Sequence, residues 1–317
     1  MLTALTFAVA LVVGLAATPV VRLIAIDRGF LDHPDPRKIH TSPIPRVGGV
    51  AMILAFGLAI GAAALVAPEF RSSGELEPNR VPAILIGVAV LAVVGAIDDI
   101  KGMRARIKLA AQLTAATLTW LLGLQIELLH FPWATVDLGV LSLPLTVLWV
   151  VAVINAVNLI DGLDGLASGV VLTVLGAFVV IAAGDGVDSA LIVSAACAGA
   201  AVGFLAYNLH PAEIIMGDTG SMFLGFVVAA VAIAITQDGL TPAPPWVPIV
   251  ALALPIADTL FAIIRRKARG ESVFVADRGH IHHQLLNLGM GQRDAMLLLT
   301  AASAAFGVLA ILLARFA

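Results

Sequence analysis

The sequence predicts an all-α polytopic membrane protein of about ten transmembrane helices, and three observations carry that reading. Of the 317 residues, 60% are hydrophobic and only 12% are charged, with a mean hydropathy of +1.04. A water-soluble fold of this size keeps much of its surface against solvent and cannot bury so large an apolar share. Ten apolar stretches then reach the roughly 17 residues that a helix needs to cross a bilayer core of about 30 Å. Finally, the basic residues gather on one side of those stretches.

In chain order the stretches run over 2–26, 48–67, 82–98, 107–124, 142–160, 163–183, 187–208, 219–236, 246–264 and 294–316. The first lacks a basic leader and stays apolar past its LAAT segment, so it reads as a retained span and not a cleaved signal peptide. Between the fourth and fifth, QIELLHFPWATVDLGVL (125–141) alternates in polarity and contains Pro132 and Asp137; it predicts a short extracytoplasmic hairpin. The run NAVNLIDGLDG (155–165) repeats a polar residue every third position, which on one helix would turn Asn155 and Asp164 opposite ways. Gly162 and Gly165 instead predict a helix ending near Asp161 and another beginning near Asp164. Such a break at the membrane edge is tolerated where a cavity hydrates its backbone.

With an outside N-terminus, the loops 27–47, 99–106, 161–162, 209–218 and 265–293 lie inside, and with their flanking helix ends they hold 15 of the 18 Lys and Arg residues. Only Arg71, Arg80 and Arg315 fall outside, so both termini are extracytoplasmic and residues 1–317 form a single membrane domain. Arg265, Arg266, Lys267 and Arg269 read as anchors beside anionic lipid. A net charge of −3 with no basic face excludes a nucleic-acid partner. Cys197, the single cysteine, leaves no disulfide framework and no cysteine metal site.

Charges near membrane spans are costly and mark function. Here they collect on the cytoplasmic side: Asp98 and Asp99 in AIDDIKG; Asn155, Asn158, Asp161 and Asp164; Asn208, His210, Glu213, Asp218 and Ser221 in YNLHPAEIIMGDTGS; and Asp277, Arg278, His280, His282 and His283 in DRGHIHHQLL. Two adjacent carboxylates repel and call for a metal or a base. Asp218 could serve only as a helix N-cap, but a cap does not account for several carboxylates at the same depth. The histidines have neither helical i, i+4 spacing nor a cysteine partner, so with Arg278 they suit phosphate better than zinc. Carboxylates able to hold Mg²⁺ beside Lys, His and Arg able to hold phosphates make a site for phosphoryl transfer. No Walker loop is present, which argues against an ATP-driven pump or kinase.

Five motifs in order, DHPDPRKIHTSPIPRVGG (32–49), DD with a following RIKLAAQ, NAVNLIDGLDG, HPAEIIMGDTGS and DRGHIHHQLLNLG, resemble the polyprenyl-phosphate N-acetylhexosamine-1-phosphate transferases, the superfamily of MraY and WecA/TagO. HIHH after ADR is similar to the WecA/TagO branch, whereas MraY-type chains carry three consecutive histidines followed by Tyr and Glu. The resemblance implies transfer of N-acetylglucosamine 1-phosphate, or a related N-acetylhexosamine 1-phosphate, from a UDP-sugar to undecaprenyl phosphate, with UMP released. It also implies Mg²⁺, with Mn²⁺ as an alternative ion, and a multi-pass place in a bacterial inner membrane; a homodimer stays open. On these motifs Asp218 is the metal ligand and Asp98 and Asp99 handle the lipid phosphate. Asp161 sits at the phosphates, and Gly162, Leu163 and Asp164 form the uridine pocket near Asn208, with Asn155 and Asn158 in the same run. Lys108 and Arg278 lie by the substrates, and His280, His282 and His283 lie at the diphosphate or sugar end. Lys101 follows Asp99 by two residues, where MraY-type chains have a lysine at three, so no role is carried over to it. Direct attack by the lipid phosphate is favoured over an Asp nucleophile. An MraY-like transferase and, more remotely, a secondary transporter are the alternatives; the latter would show inverted repeats and midplane charges.

Overall fold

The computed structural model describes residues 1–34, 42–67, 80–272 and 279–316. Among these, helices dominate: α1 (Leu2–Arg28), α2 (Gly48–Val66), α3 (Val81–Lys101), α4 (Ala105–Leu121), α5 (Ser142–Ile160), α6 (Leu166–Asp185), α7 (Asp188–Asn208), α8 (Gly217–Gln237), α9 (Trp246–Ala251), α10 (Ala253–Ala268), α11 (Ile281–Asn287) and α12 (Gln292–Arg315). Eight of them, α1, α2, α3, α5 through α8 and α12, are long and apolar enough to cross a membrane.

Two of the ten expected spans are not among these eight. The 107–124 stretch is α4, with 17 residues. The 246–264 stretch is split into α9 and α10 at Leu252. Pro255 explains the split: it has no N–H to return to the carbonyl four residues back, that of Ala251, the last residue of α9.

α8 is the axis of the bundle. Every residue from Thr219 to Thr236 is buried, as an all-round apolar helix requires, and α3 and α5 pack along it. Its N-terminus is approached so closely by α2 that a Cβ on Gly49 would overlap the Gly220 backbone. A Cβ on Gly95 of α3 would lie 2.5 Å from Thr219 Cα. These glycines let three backbones converge where the polar motifs sit.

The predicted hairpin is present: β3 (Leu128–Phe131) pairs antiparallel with β4 (Ala134–Asp137), with His130 opposite Thr135. Gln237 at the end of α8 secures it, its Oε1 accepting from the Glu127 and Leu128 amides at 2.9 and 3.0 Å. Near the start of the chain, β1 (Leu31–Asp32) and β2 (Ile44–Pro45) form a two-residue ladder that lays Arg46 beside the polar end of the bundle.

Candidate active site

The C-terminal ends of α5 and α7 meet the N-terminal end of α8 and the turn before α6 around a cavity of about 500 Å³, and α3 and α4 reach its Asp218 through Asp99 and Lys108. Its lining includes Asp32, Arg46, Asn158, Asp161, Asp218 and His283. The expected break in NAVNLIDGLDG is real: α5 stops at Ile160, α6 starts at Leu166, and Gly165 holds the left-handed φ of 75° at the turn.

Asp98 and Asp99, being consecutive on a helix, point about 100° apart, and their surroundings differ accordingly. Asp99 faces α8. Its Oδ1 accepts from the Asp218 amide at 2.8 Å, and its Oδ2 from the Thr219 amide at 3.0 Å and the Thr219 hydroxyl at 2.6 Å. Arg46 Nε adds a fourth bond at 3.2 Å, and the side chain has no exposed surface. Asp99, expected from the resemblance to handle the lipid phosphate, acts in this geometry as an N-terminal cap of α8 supplied by a neighbouring helix. Asp98 turns instead to α4, accepting from Lys108 Nζ at 3.0 Å and from the Met103 amide at 2.5 Å.

Because Asp99 caps α8, the Asp218 carboxylate is not spent on that task. Its Oδ1 accepts from Asn158 Nδ2 at 2.7 Å; its Oδ2 accepts from Arg46 Nη2 at 3.0 Å and Lys108 Nζ at 3.3 Å. Single oxygens of Asp98, Asp99 and Asp218 lie within 4.8 Å of one another, the one grouping among the described residues that could hold a metal ion. Asp161 also lines the cavity. Burial, then the negative charges of Asp218, Asp99 and Asp164, push its carboxyl up to about 8. Burial works against the charge on Arg46, yet Asp99, Asp218 and Asp32 outweigh it and raise its pKa.

Arg46 is the residue that sequence reasoning missed. It bridges Asp99, Asp218 and, at 3.5 Å, Asp32, and its one sequence signal is its place ahead of a glycine pair whose second member, Gly49, packs on α8. The remaining expected residues divide. Gly162, Leu163, Asp164 and Asn208 line the cavity. Asp164 is engaged by His210 Nδ1 at 2.8 Å and the Ala212 amide at 3.1 Å, and Asn208 fastens the turn through the Gly165 amide and the Ile214 carbonyl. Asn155 lies away from the cavity, donating to Gln112 Oε1 and the Val151 carbonyl, both at 2.7 Å. Of His280, His282 and His283, only His283 lines the cavity; His280 and His282 are buried. Burial, then His283 and His280, pull the His282 imidazole down to about 4, so it is neutral. Arg278 lies outside the described residues.

Sequence comparison agrees with this geometry. Glycosyl transferase family 4 matches residues 81–236, the stretch from α3 through α8 that frames the cavity. A probable undecaprenyl-phosphate N-acetylglucosaminyl 1-phosphate transferase of Bacillus subtilis is 38% identical, over 97% of this chain and 84% of its own length. This chain belongs to the polyprenyl-phosphate N-acetylhexosamine-1-phosphate transferases. Within that family, a decaprenyl-phosphate N-acetylglucosaminephosphotransferase of Mycolicibacterium smegmatis is 35% identical, over 89% of this chain and 75% of its own. A phospho-N-acetylmuramoyl-pentapeptide-transferase of Halalkalibacterium halodurans is 32% identical, over 89% and 87%. Both transferase branches are thus similar to this chain along most of its length.

Proposed function

We propose that the protein transfers N-acetylglucosamine 1-phosphate from UDP-N-acetylglucosamine to undecaprenyl phosphate, releasing UMP, at the cytoplasmic face of a bacterial inner membrane. This would be the first membrane step of a cell-envelope glycan. The observation that carries the reading is the cavity at the polar end of the bundle, where Asp218 and Asp161 face Arg46 and the DGLDG turn. The relatives named for N-acetylglucosamine and the HIHH spacing favour that sugar over the pentapeptide-bearing one.

In this reaction a lipid-phosphate oxygen forms a bond to the β-phosphorus of the UDP-sugar. The bond from that phosphorus to the bridging oxygen breaks, and UMP leaves with the bridging oxygen and its electron pair. A phosphate monoester is already anionic at neutral pH, so no strong base is required. The obstacle is the mutual repulsion of two anions, and it is met by positioning and positive charge. Arg46 supplies a fixed cation that lines the cavity, and Lys108 a second one behind Asp218, each held by carboxylates on more than one side. Asn158 orients Asp218, donating to it and to Ser221 Oγ at 2.7 Å each. The DGLDG turn, fastened by Asn208, supplies a rigid wall for the nucleotide.

The donor set fits Mg²⁺, which takes one or two carboxylates with the rest of its shell from water and phosphate oxygens: Asp218 would hold it, with Asp161 and Asp98 beside it. Bound there, Mg²⁺ neutralises the diphosphate and the developing charge on the leaving oxygen. UMP release from a panel of UDP-sugars, with and without undecaprenyl phosphate and Mg²⁺, tests the reading. Release that needs all three, and is fastest with UDP-N-acetylglucosamine, is expected. Release indifferent to the lipid phosphate, or none with any UDP-sugar, would overturn it.

A further inference from the structure

The transfer chemistry makes no use of the buried carboxylate of Asp258. Asp258, on α10, has a side chain only 6% exposed, and so does its partner His280. Asp258 Oδ2 pairs with His280 Nδ1 at 2.8 Å, and Oδ1 accepts from the Ile281 amide at 2.8 Å. Ile281 is the first residue of α11, a helix of seven residues whose own N-cap side chain makes no capping bond. So short a helix cannot hold itself. Its capping acceptor comes from a neighbouring helix, as Asp99 serves α8.

The consequence travels along the histidines. The His280 ring lies parallel to that of His282, with centroids 5.8 Å apart and planes 4° off parallel. His282 in turn lies 4.3 Å, centroid to centroid, from His283, which lines the cavity. His282 is 2% exposed and its Nδ1 has no hydrogen-bond partner, so packing alone locates that ring. Part of the packing is Gly162, where a Cβ would overlap the imidazole. The stack is anchored at one end by Asp258 and ends at the other on the DGLDG turn and the cavity wall.

We infer that Asp258 is a positioning residue that seats α11 and its histidine stack, and acts on the reaction through the placement of His283. This rests on the transferase reading for its activity readout, and on Asp258–His280 geometry alone for its stability readout.

The test is UMP release and thermal unfolding in detergent of D258A, D258N, H280A, D258A/H280A, H283A and D258A/H283A. D258A is expected to lower turnover by about tenfold, the scale seen when a partner that orients a functional histidine is lost. D258N, which keeps an acceptor for the Ile281 amide, should fall between D258A and wild type. In the H283A background D258A should lower turnover no further while still lowering Tm; a merely structural residue would lower turnover equally in both backgrounds, and that result would overturn the inference. The Tm losses of D258A and H280A should be less than additive in the double variant. If the wild type releases no UMP, the reading of the reaction fails, and the Tm cycle decides the positioning by itself: coupling supports it, and additivity overturns it.

Discussion

Each end of the bundle sets an arginine against aspartate, and the two arrangements differ in closure. At the hairpin end, Arg80 Nε and Nη2 meet the two oxygens of Asp238 at 2.6 and 2.7 Å, and Nη1 reaches the Gly123 carbonyl. One cation and one anion are matched fork to fork, with side-chain exposures of 8% and 2%. At the cavity end, Arg46 spreads single contacts over Asp32, Asp99 and Asp218 and stays 31% exposed, and Lys108 is shared by Asp98 and Asp218. The first pair is complete and fastens α3 to α8 and to the turn after α4. Among the described residues the second sets Asp32, Asp98, Asp99 and Asp218 against Arg46 and Lys108 beside an open cavity, an arrangement suited to a metal and two phosphorylated substrates. The same residue types thus make a clasp or a site according to whether their charges balance locally.

The largest expected effect is on the open end. D218N removes the carboxylate that Arg46, Lys108 and Asn158 all address, and Mg²⁺-dependent UMP release should fall by about a thousandfold or more. Its thermal unfolding should change little, because Asp99 and not Asp218 caps α8. Wild-type turnover in D218N would remove the metal assignment.

Exchanging the two arginines for alanine sets the ends against each other. R46A should cost about a hundredfold in turnover and shift Mg²⁺ dependence, with modest loss of stability because Asp99 keeps its three bonds from α8 and Asp218 keeps Asn158 and Lys108. R80A should do the reverse: removing the fork that the buried Asp238 carboxylate accepts costs about 3–5 kcal/mol, while turnover per folded molecule stays within about twofold. Circular dichroism melts with activity normalised to folded protein check both. Equal losses of turnover in the two variants would mean that the contrast in charge balance does not divide function from fastening.

Much of this was legible in the sequence, for identifiable reasons. Spans declare themselves through unbroken apolar length, and the hairpin through alternation with Pro132. The break after Asp161 showed because glycines interrupt a polar run that one helix could not present to one side. The fate of the 246–264 stretch was harder to see, since Pro255 acts on a carbonyl four residues away. Asp98 and Asp99 are adjacent in sequence and each brings an oxygen to the cluster with Asp218, but only the packing of α3 on α8 shows that Asp99 is also a cap. Arg46 was hidden among loop basics that all fit an orientation signal. Its partners lie 14, 53 and 172 residues away, and no local pattern encodes contacts of that range.

The smallest expected effect concerns Asp161, and it tests whether the open end carries unbalanced charge. Its carboxyl is raised to about 8 by burial and by neighbouring carboxylates, against about 3.9 in an unfolded chain. Between those values the folded protein holds a proton that the unfolded chain has lost, so this group favours folding at low pH. That advantage disappears as pH rises toward about 8 and levels off above it. In the absence of Mg²⁺, Tm should therefore decline from pH 5 to 8 more steeply in wild type than in D161N, which has no such proton to lose. Saturating Mg²⁺ should shrink the difference, since a cation replaces the proton as the neutralising partner. Identical slopes in the two proteins without Mg²⁺ would show that the carboxylates at this end are already balanced by Arg46 and Lys108, as Asp238 is by Arg80.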